Sequence, residues 1–241
     1  MVRKRFLIHK SGCGVCGEPL IFNGTPKKML CFYCEEEKQA DVFCPNEHFI
    51  CDACHRVDAN DYIQKECLNS KQINPVEFAN VLMHNENISM HGPEHHFLVA
   101  AVLLTTYNNV TQKYADLKKV LQVIRLRMVK IPGEVCTTHG GCGAVLGAGA
   151  FAAYITKNTA LSQKTWGDIH RLTASAFLQV AYYGGPRCCK RNTFIALLAG
   201  QHWLNENMGV ELEKSESIQC DFFGNNKDCI GRKCLFFASK Q

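Results

Sequence analysis

Two short segments in the second half of the chain set thiols where a helix must begin: Gly140-Gly141-Cys142-Gly143 and Gly184-Gly185-Pro186-Arg187-Cys188-Cys189-Lys190-Arg191-Asn192. A cysteine next to glycine at a helix start lets a thiolate and several backbone N–H groups face one spot. That arrangement suits an iron–sulfur cluster or an anionic substrate, and the two segments are read as an active centre. A third segment, His91-Gly92-Pro93-Glu94-His95-His96, places three imidazoles and a carboxylate just before a very apolar run. His91, Glu94, His95 and His96 are therefore candidates for acid–base work, with Arg187 added from the Cys-Cys turn. The helix N-terminus contributes positive potential for a substrate carboxylate. His91 and His95, four residues apart, make a metal pair if the helix covers both. The alternative is a capped turn with surface histidines.

The tail carries another set, Cys220, Cys229 and Cys234, with Arg232 and Lys233 nearby. Three cysteines in a segment with little apolar material to order it imply a bound metal. Iron–sulfur is the first choice and zinc the second, with Cys67 or Cys136 as a source of the fourth ligand.

The first seventy residues are built differently. Four ligand pairs follow one another: Cys13 and Cys16, Cys31 and Cys34, Cys44 and His48, Cys51 and Cys54. In three of them two residues separate the cysteines, the spacing at which a tight knuckle turns two thiolates toward one tetrahedral ion. Eight ligands make two zinc sites. The order knuckle, polar hairpin, then Cys51-Asp-Ala-Cys54 opening a helix is that of a treble-clef finger. It pairs Cys31, Cys34, Cys51 and Cys54 at one ion and Cys13, Cys16, Cys44 and His48 at the other. A sequential arrangement, 13, 16, 31, 34 and 44, 48, 51, 54, uses the same ligands, and spacing does not choose between them. Zinc here replaces a core too small to fold alone. The module also offers a docking surface for a protein partner, a carrier or tRNA, with Lys27, Lys28, Phe32 and Tyr33 on it.

Fifteen cysteines are an odd number, so complete disulfide pairing is excluded. No apolar stretch of the kind found in a signal peptide follows Arg3, Lys4 and Arg5. The expectation is a cytoplasmic protein with reduced or metal-bound thiols. A net charge of +5 allows an anionic partner without requiring one. The stretch from Val135 to Thr156 lacks charged residues and is long enough to span a bilayer. Its Cys, His, Thr and glycine content instead suits a buried helix, and no membrane association is expected.

The elements that position these groups are helices. Asn74, Pro75 and Glu77 form a helix start. A second helix begins near Pro93, and Thr111 is read as the cap of a third, in which Leu117, Val120, Leu121, Ile124 and Met128 recur at helical spacing. Gly143, Gly147 and Gly149 weaken the next helix unless another backbone or a cofactor presses on that face. Two long helices follow, one from about Ser162 to Tyr183 and one leading to Trp203. The fold class is mainly α: a double zinc-binding module over 1–70, a helical domain over 71–210 and a Cys-rich tail over 211–241.

The pattern Gly-Cys-Gly-Ala-Val-Leu-Gly-Ala-Gly, an alanine-rich helix, a second helix and then Gly-Gly-Pro-Arg-Cys-Cys-Lys-Arg-Asn resembles the α-domain of iron–sulfur L-serine dehydratases and cysteine desulfidases. About seventy residues take part. The resemblance implies a [4Fe–4S] cluster with Cys142 as one ligand, Cys188 or Cys189 as another and Cys136 as a third. Vicinal Cys188 and Cys189 do not readily ligate one cluster, which leaves one of them as a nucleophile or persulfide carrier. The β-domain of the dehydratases has no counterpart. The same motifs with His91-Gly92-Pro93-Glu94-His95-His96 also resemble an uncharacterised family of anaerobic bacteria and methanogens. The implied function is an oxygen-sensitive [4Fe–4S] enzyme with an open iron, of lyase, desulfidase or sulfur-transfer type, acting on a small or carrier-bound substrate. Two alternatives stand beside it: a non-catalytic zinc and iron–sulfur adaptor or carrier, and a tRNA-thiolation enzyme.

Overall fold

The computed structural model describes residues 12–238; the basic start, Arg3, Lys4 and Arg5, lies outside them. The chain divides into two compact units between Val57 and Asp58. In the first, β1 (Ile21–Leu30) and β2 (Glu37–Phe43) pair antiparallel, with Leu30 opposite Glu37 and an irregularity between Phe22 and Lys27. Its apolar cluster is small: Met29, Ala40 and Phe43, with Phe49 against them. Cys13 and Cys16 precede β1, Cys31 and Cys34 form the turn between the strands, Cys44 and His48 follow β2, and Cys51 and Cys54 open α1 (Asp52–Asn69). The cysteine module followed by helices is the architecture expected from the ligand order.

The second unit is all helix apart from its tail. Ala59, Ile63 and Cys67 recur every four residues along α1 and are buried. Helical structure therefore begins earlier than residue 71, where the apolar pattern first becomes strong. In α2 (Pro75–Met83) the Asn74 side chain accepts the N–H groups of Val76 and Glu77, the expected cap. The centre of the unit is α3 (Glu94–Thr111), buried from Glu94 through Asn108. It packs against α2, α4 (Leu117–Met128), α6 (Gly143–Ile155) and α8 (Cys189–Met208); α7 (Lys164–Tyr183) packs on α6 and α8. The cap of α4 is Asp116, not Thr111. The Thr111 hydroxyl stays in α3, donating to the Tyr107 carbonyl at 2.8 Å, and Gln112 ends that helix in a left-handed conformation.

The glycines of α6 carry the close approach that their cost implied. A side chain at Gly147 would collide with the His96 carbonyl of α3, and one at Gly143 with the His96 ring. The pressing group is thus another helix backbone and an imidazole. A one-turn helix, α5 (Val135–Thr138), precedes α6. No described helix is long and apolar enough to cross a membrane.

Beyond α8 the chain makes only two short 3-10 turns, Phe222–Asn225 and Gly231–Lys233. It nevertheless joins the core through Leu212, Phe222 and Phe236. Polar ties hold it at several points: Glu213 N–H to the Ile73 carbonyl, the Ser215 hydroxyl to Asn74, and Cys220 N–H to the Phe236 carbonyl at 2.6 Å.

Candidate metal centres and a buried polar centre

In the first unit the eight ligands fall into two groups, Cys13, Cys16, Cys44, His48 and Cys31, Cys34, Cys51, Cys54. Within each group the ligand atoms lie within 4.8 Å of one another. The interleaved arrangement holds, and the sequential one does not. The hairpin is the reason: β1 and β2 bring the residues before one strand beside those after the other, while the knuckle between them meets the start of α1. Cys34 and Cys51 sulfurs stand 3.8 Å apart, Cys16 and Cys44 3.5 Å, and Cys13 Sγ lies 3.8 Å from His48 Nδ1. A tetrahedral ion with metal–sulfur bonds of about 2.3 Å sets its sulfurs about 3.8 Å apart. Amide N–H groups of Val15, Asn46 and Cys51 each donate to a sulfur, on Cys13, Cys44 and Cys31 respectively, at 3.3 Å. The Glu18 amide bonded to Cys16 lowers that thiol to about 6. Both groups can hold a metal ion, one through three sulfurs and the His48 imidazole and the other through four sulfurs.

The second unit contains a different kind of site. Glu94 and His95 open α3 and are 0 % and 1 % exposed, and Lys190 in the first turn of α8 is 1 % exposed. The Ser89 amide donates to Glu94 Oε1 at 2.9 Å. His95 Nδ1 donates to the Gly92 carbonyl at 3.1 Å, which leaves Nε2 as the acceptor nitrogen. That atom is buried and meets no hydrogen-bond partner among the described residues. Burial, and then the charge of Lys190, hold the imidazole well below its ordinary range, so it is neutral. Lys190 Nζ donates to the carbonyls of Met83 and Ile88 at 3.3 and 3.4 Å and lies over the Phe222 ring. Its burial brings it down to about 8 in spite of Glu94.

Two thiols face this centre. Cys142, the buried N-cap of α6, accepts from Asn192 Nδ2 at 3.4 Å. Cys189 accepts the Gly92 amide, and burial, with Cys142 and Glu94 near it, pushes its thiol up to about 12. His96 lies over Gly143, and a side chain at Gly92 would run into the Glu94 carboxylate. His91, half-buried, bonds to Asn226, and burial and then Arg187 lower its pKa. Arg187 itself is exposed on the turn. Among the described residues these histidines and Glu94 do not close into a metal-ligand group like those of the first unit.

Cys188 turns the other way from its neighbour. It caps α8, accepting the Arg191 amide at 3.4 Å, and lines a pocket with Cys220, Cys229 and Cys234. The other cysteines considered as partners of the tail are elsewhere: Cys67 is fully buried in the helical core, and Cys136 is exposed on α5. Lys190, Asn192 and Asn226 lay in view of the sequence without an assigned role. The signal for Lys190 was a cation in the first turn of a helix whose next turns, Phe194 to Leu198, are apolar.

Residues 63–237 match a family described as a family of unknown function (DUF5714), and the chain belongs to it. The eight ligands of the N-terminal module lie outside the matched span. No curated protein and no solved structure matches the chain.

Proposed function

We propose that this member of the family is an iron–sulfur enzyme whose helical unit performs lyase, desulfidase or sulfur-transfer chemistry on a small or carrier-bound substrate, and whose N-terminal unit is a double zinc module. The two closed ligand sets, one of three cysteines with a histidine and one of four cysteines, support zinc in a structural role. One observation carries the enzyme reading: Glu94, His95 and Lys190 are sunk together into an apolar core beside the thiols of Cys142 and Cys189. Ionisable groups in such surroundings cost several kcal/mol unless they are paired or used, and His95 keeps a buried acceptor unspent.

The residues divide the work. His95, neutral, takes a proton at Nε2. Lys190 favours negative charge at the substrate, and the Gly92 amide favours the thiolate of Cys189. Cys142, oriented by Asn192, and Cys189 bear sulfur, and Arg187 on the exposed turn meets an incoming anion. A cluster held by the helical unit would supply electrons or sulfide, chemistry that side chains lack. The resemblance of the Gly-Cys-Gly and Cys-Cys segments to iron–sulfur dehydratases and desulfidases supports the same class. A second reading, an adaptor or carrier, is favoured by the self-contained ligand groups of the first unit. Exposed Phe32 and Tyr33 on its knuckle favour a tRNA or protein partner there.

The test uses L-cysteine and L-serine as probes on full-length protein loaded with iron and sulfide without oxygen, reading sulfide and pyruvate. Turnover that falls by about 100-fold or more in His95→Gln, and is lost in Cys142→Ala with two zinc ions retained, supports the reading. Absence of both products, or full activity in Cys142→Ala, removes it and leaves the adaptor.

A further inference from the structure

We infer that Cys188, Cys220, Cys229 and Cys234 together hold one [4Fe–4S] cluster, with every iron capped by a thiolate. The inference rests on the proposal that the protein carries a cluster and fixes where it sits. All four cysteines line one pocket, although Cys188 is separated from the tail cysteines by the whole of α8. The tail sequence names three ligands and looks to Cys67 or Cys136 for a fourth; the fold instead places Cys188, at the cap of α8, beside the three.

The spacing differs from that of the single-ion groups of the N-terminal unit, while the four thiols remain near enough for Cys229 and Cys234 to act on Cys188, and for Cys188 and Cys234 to act on Cys220. Among the described residues, groups of three or more metal-ligand atoms within 4.8 Å of one another occur only in the N-terminal unit, so no three of these four thiols meet that limit. A lone tetrahedral zinc needs its sulfurs about 3.8 Å apart. A four-iron core is wider and holds its four cysteines correspondingly farther apart.

The surroundings fit a cluster as well. Backbone N–H groups donate to sulfur at three of the four positions: Arg191 to Cys188 at 3.4 Å, Gly231 to Cys229 at 3.4 Å, and Phe222 to Cys220. Asn226 Nδ2 adds a contact to Cys188 at 3.8 Å. Such donors stabilise thiolates and tune a cluster. Phe222, Phe223 and Phe237 provide an apolar wall, and Arg191 a nearby positive charge against the anionic cluster. The segment has little regular structure of its own, and metal ligation is a direct way to order it. On loading, four thiol protons leave and four iron–sulfur bonds form to a preassembled core, with no change of oxidation state. Because each iron is capped, no iron is open to substrate at this site, and the cluster does not act there as a Lewis acid.

The test is iron, acid-labile sulfide and zinc content of the full chain, purified and reconstituted without oxygen, with a Mössbauer spectrum. About four iron and four sulfide beside two zinc, and no iron distinct from the others, are expected. In Cys188→Ser and Cys229→Ser iron falls below about a tenth, while zinc and far-ultraviolet helicity are retained. In Cys67→Ala, Cys142→Ala and Cys189→Ala iron is unchanged. Iron that is lost in the Cys142 or Cys189 variants and kept in the Cys188 variant overturns this ligand set and leaves the enzyme proposal intact. A third zinc in place of iron, or one iron with a distinct signature, overturns the capped cluster. No iron under any condition overturns both.

Discussion

In residues 12–57 the buried apolar cluster consists of Met29, Ala40 and Phe43, and the other deep positions include Cys13, Cys31, Cys44 and Cys51. In residues 58–238 one apolar core runs from Ala59 on α1 to Phe236 in the tail; Cys67 and Cys142 belong to it, and Cys188, Cys220 and Cys234 pack against it. The same residue type thus stands in two relations to folding. In the first unit the ligands stand where a core would, and on the zinc reading proposed above metal binding would be folding. In the second a large apolar core stands beside the thiols, so those at the starts of α6 and α8 do not take its place.

The largest effect that tests this contrast is removal of zinc. Structural zinc is worth about 10–16 kcal/mol to a small module, far more than the Met29, Ala40 and Phe43 cluster supplies. A chelator strong enough to strip both sites is expected to abolish amide protection over residues 12–57 and leave that of α3 and α6 in place, as read by hydrogen exchange. Loss of protection in both units together would break the comparison.

A smaller effect comes from the helical core itself. Gly147→Ala sets a methyl group against the His96 carbonyl where α6 meets α3. Overpacking of this kind costs about 1–3 kcal/mol, to be measured by urea denaturation of the second unit's helical signal. The zinc content of the variant is expected to stay at two. An unchanged urea midpoint would mean that α3 and α6 do not meet as closely as Gly147 requires.

The smallest effect is in pH. His95 is held neutral in the folded state, with Lys190, His96 and His91 adding to the cost of a further proton. In the unfolded chain it protonates below its ordinary value of 6.5. The unfolded state therefore binds more protons in that window. Stability falls as pH drops from 6.5 toward the depressed folded value, and a rise from pH 7 to 8 leaves this contribution unchanged. His95→Gln is expected to flatten the acid limb of a stability–pH curve; an equally steep limb in the variant would place the cause elsewhere.

These contrasts were partly legible in the chain. Three of the module's ligand pairs repeat at knuckle spacing, so all eight could be named, while the choice between interleaved and sequential pairing stayed open until the hairpin was seen. The Asn74 cap and the glycines of α6 were readable because each has a local physical cost with a specific remedy. Cys188 was legible as a candidate ligand, and its place in one pocket with Cys220, Cys229 and Cys234 was not. That proximity depends on the tail folding back across α8, anchored by Leu212, Phe222, Phe236 and the bond from Cys220 to Phe236. Tail packing of this sort has no periodicity to reveal it. The burial of Lys190 was hidden for the same reason: the Met83 carbonyl at the end of α2, the Ile88 carbonyl in the loop after it and a tail phenylalanine enclose it, all distant in sequence. Thr111 misled because a β-hydroxyl residue reads as a cap, yet its own helix already offered the Tyr107 carbonyl.

Native mass spectrometry of the anaerobically purified full chain tests the central contrast most directly. The account predicts one species carrying two zinc ions and one four-iron, four-sulfide cluster, from which mild acid or a chelator removes zinc and cluster as separable masses. A chain that carries zinc alone after reconstitution with iron and sulfide would contradict it.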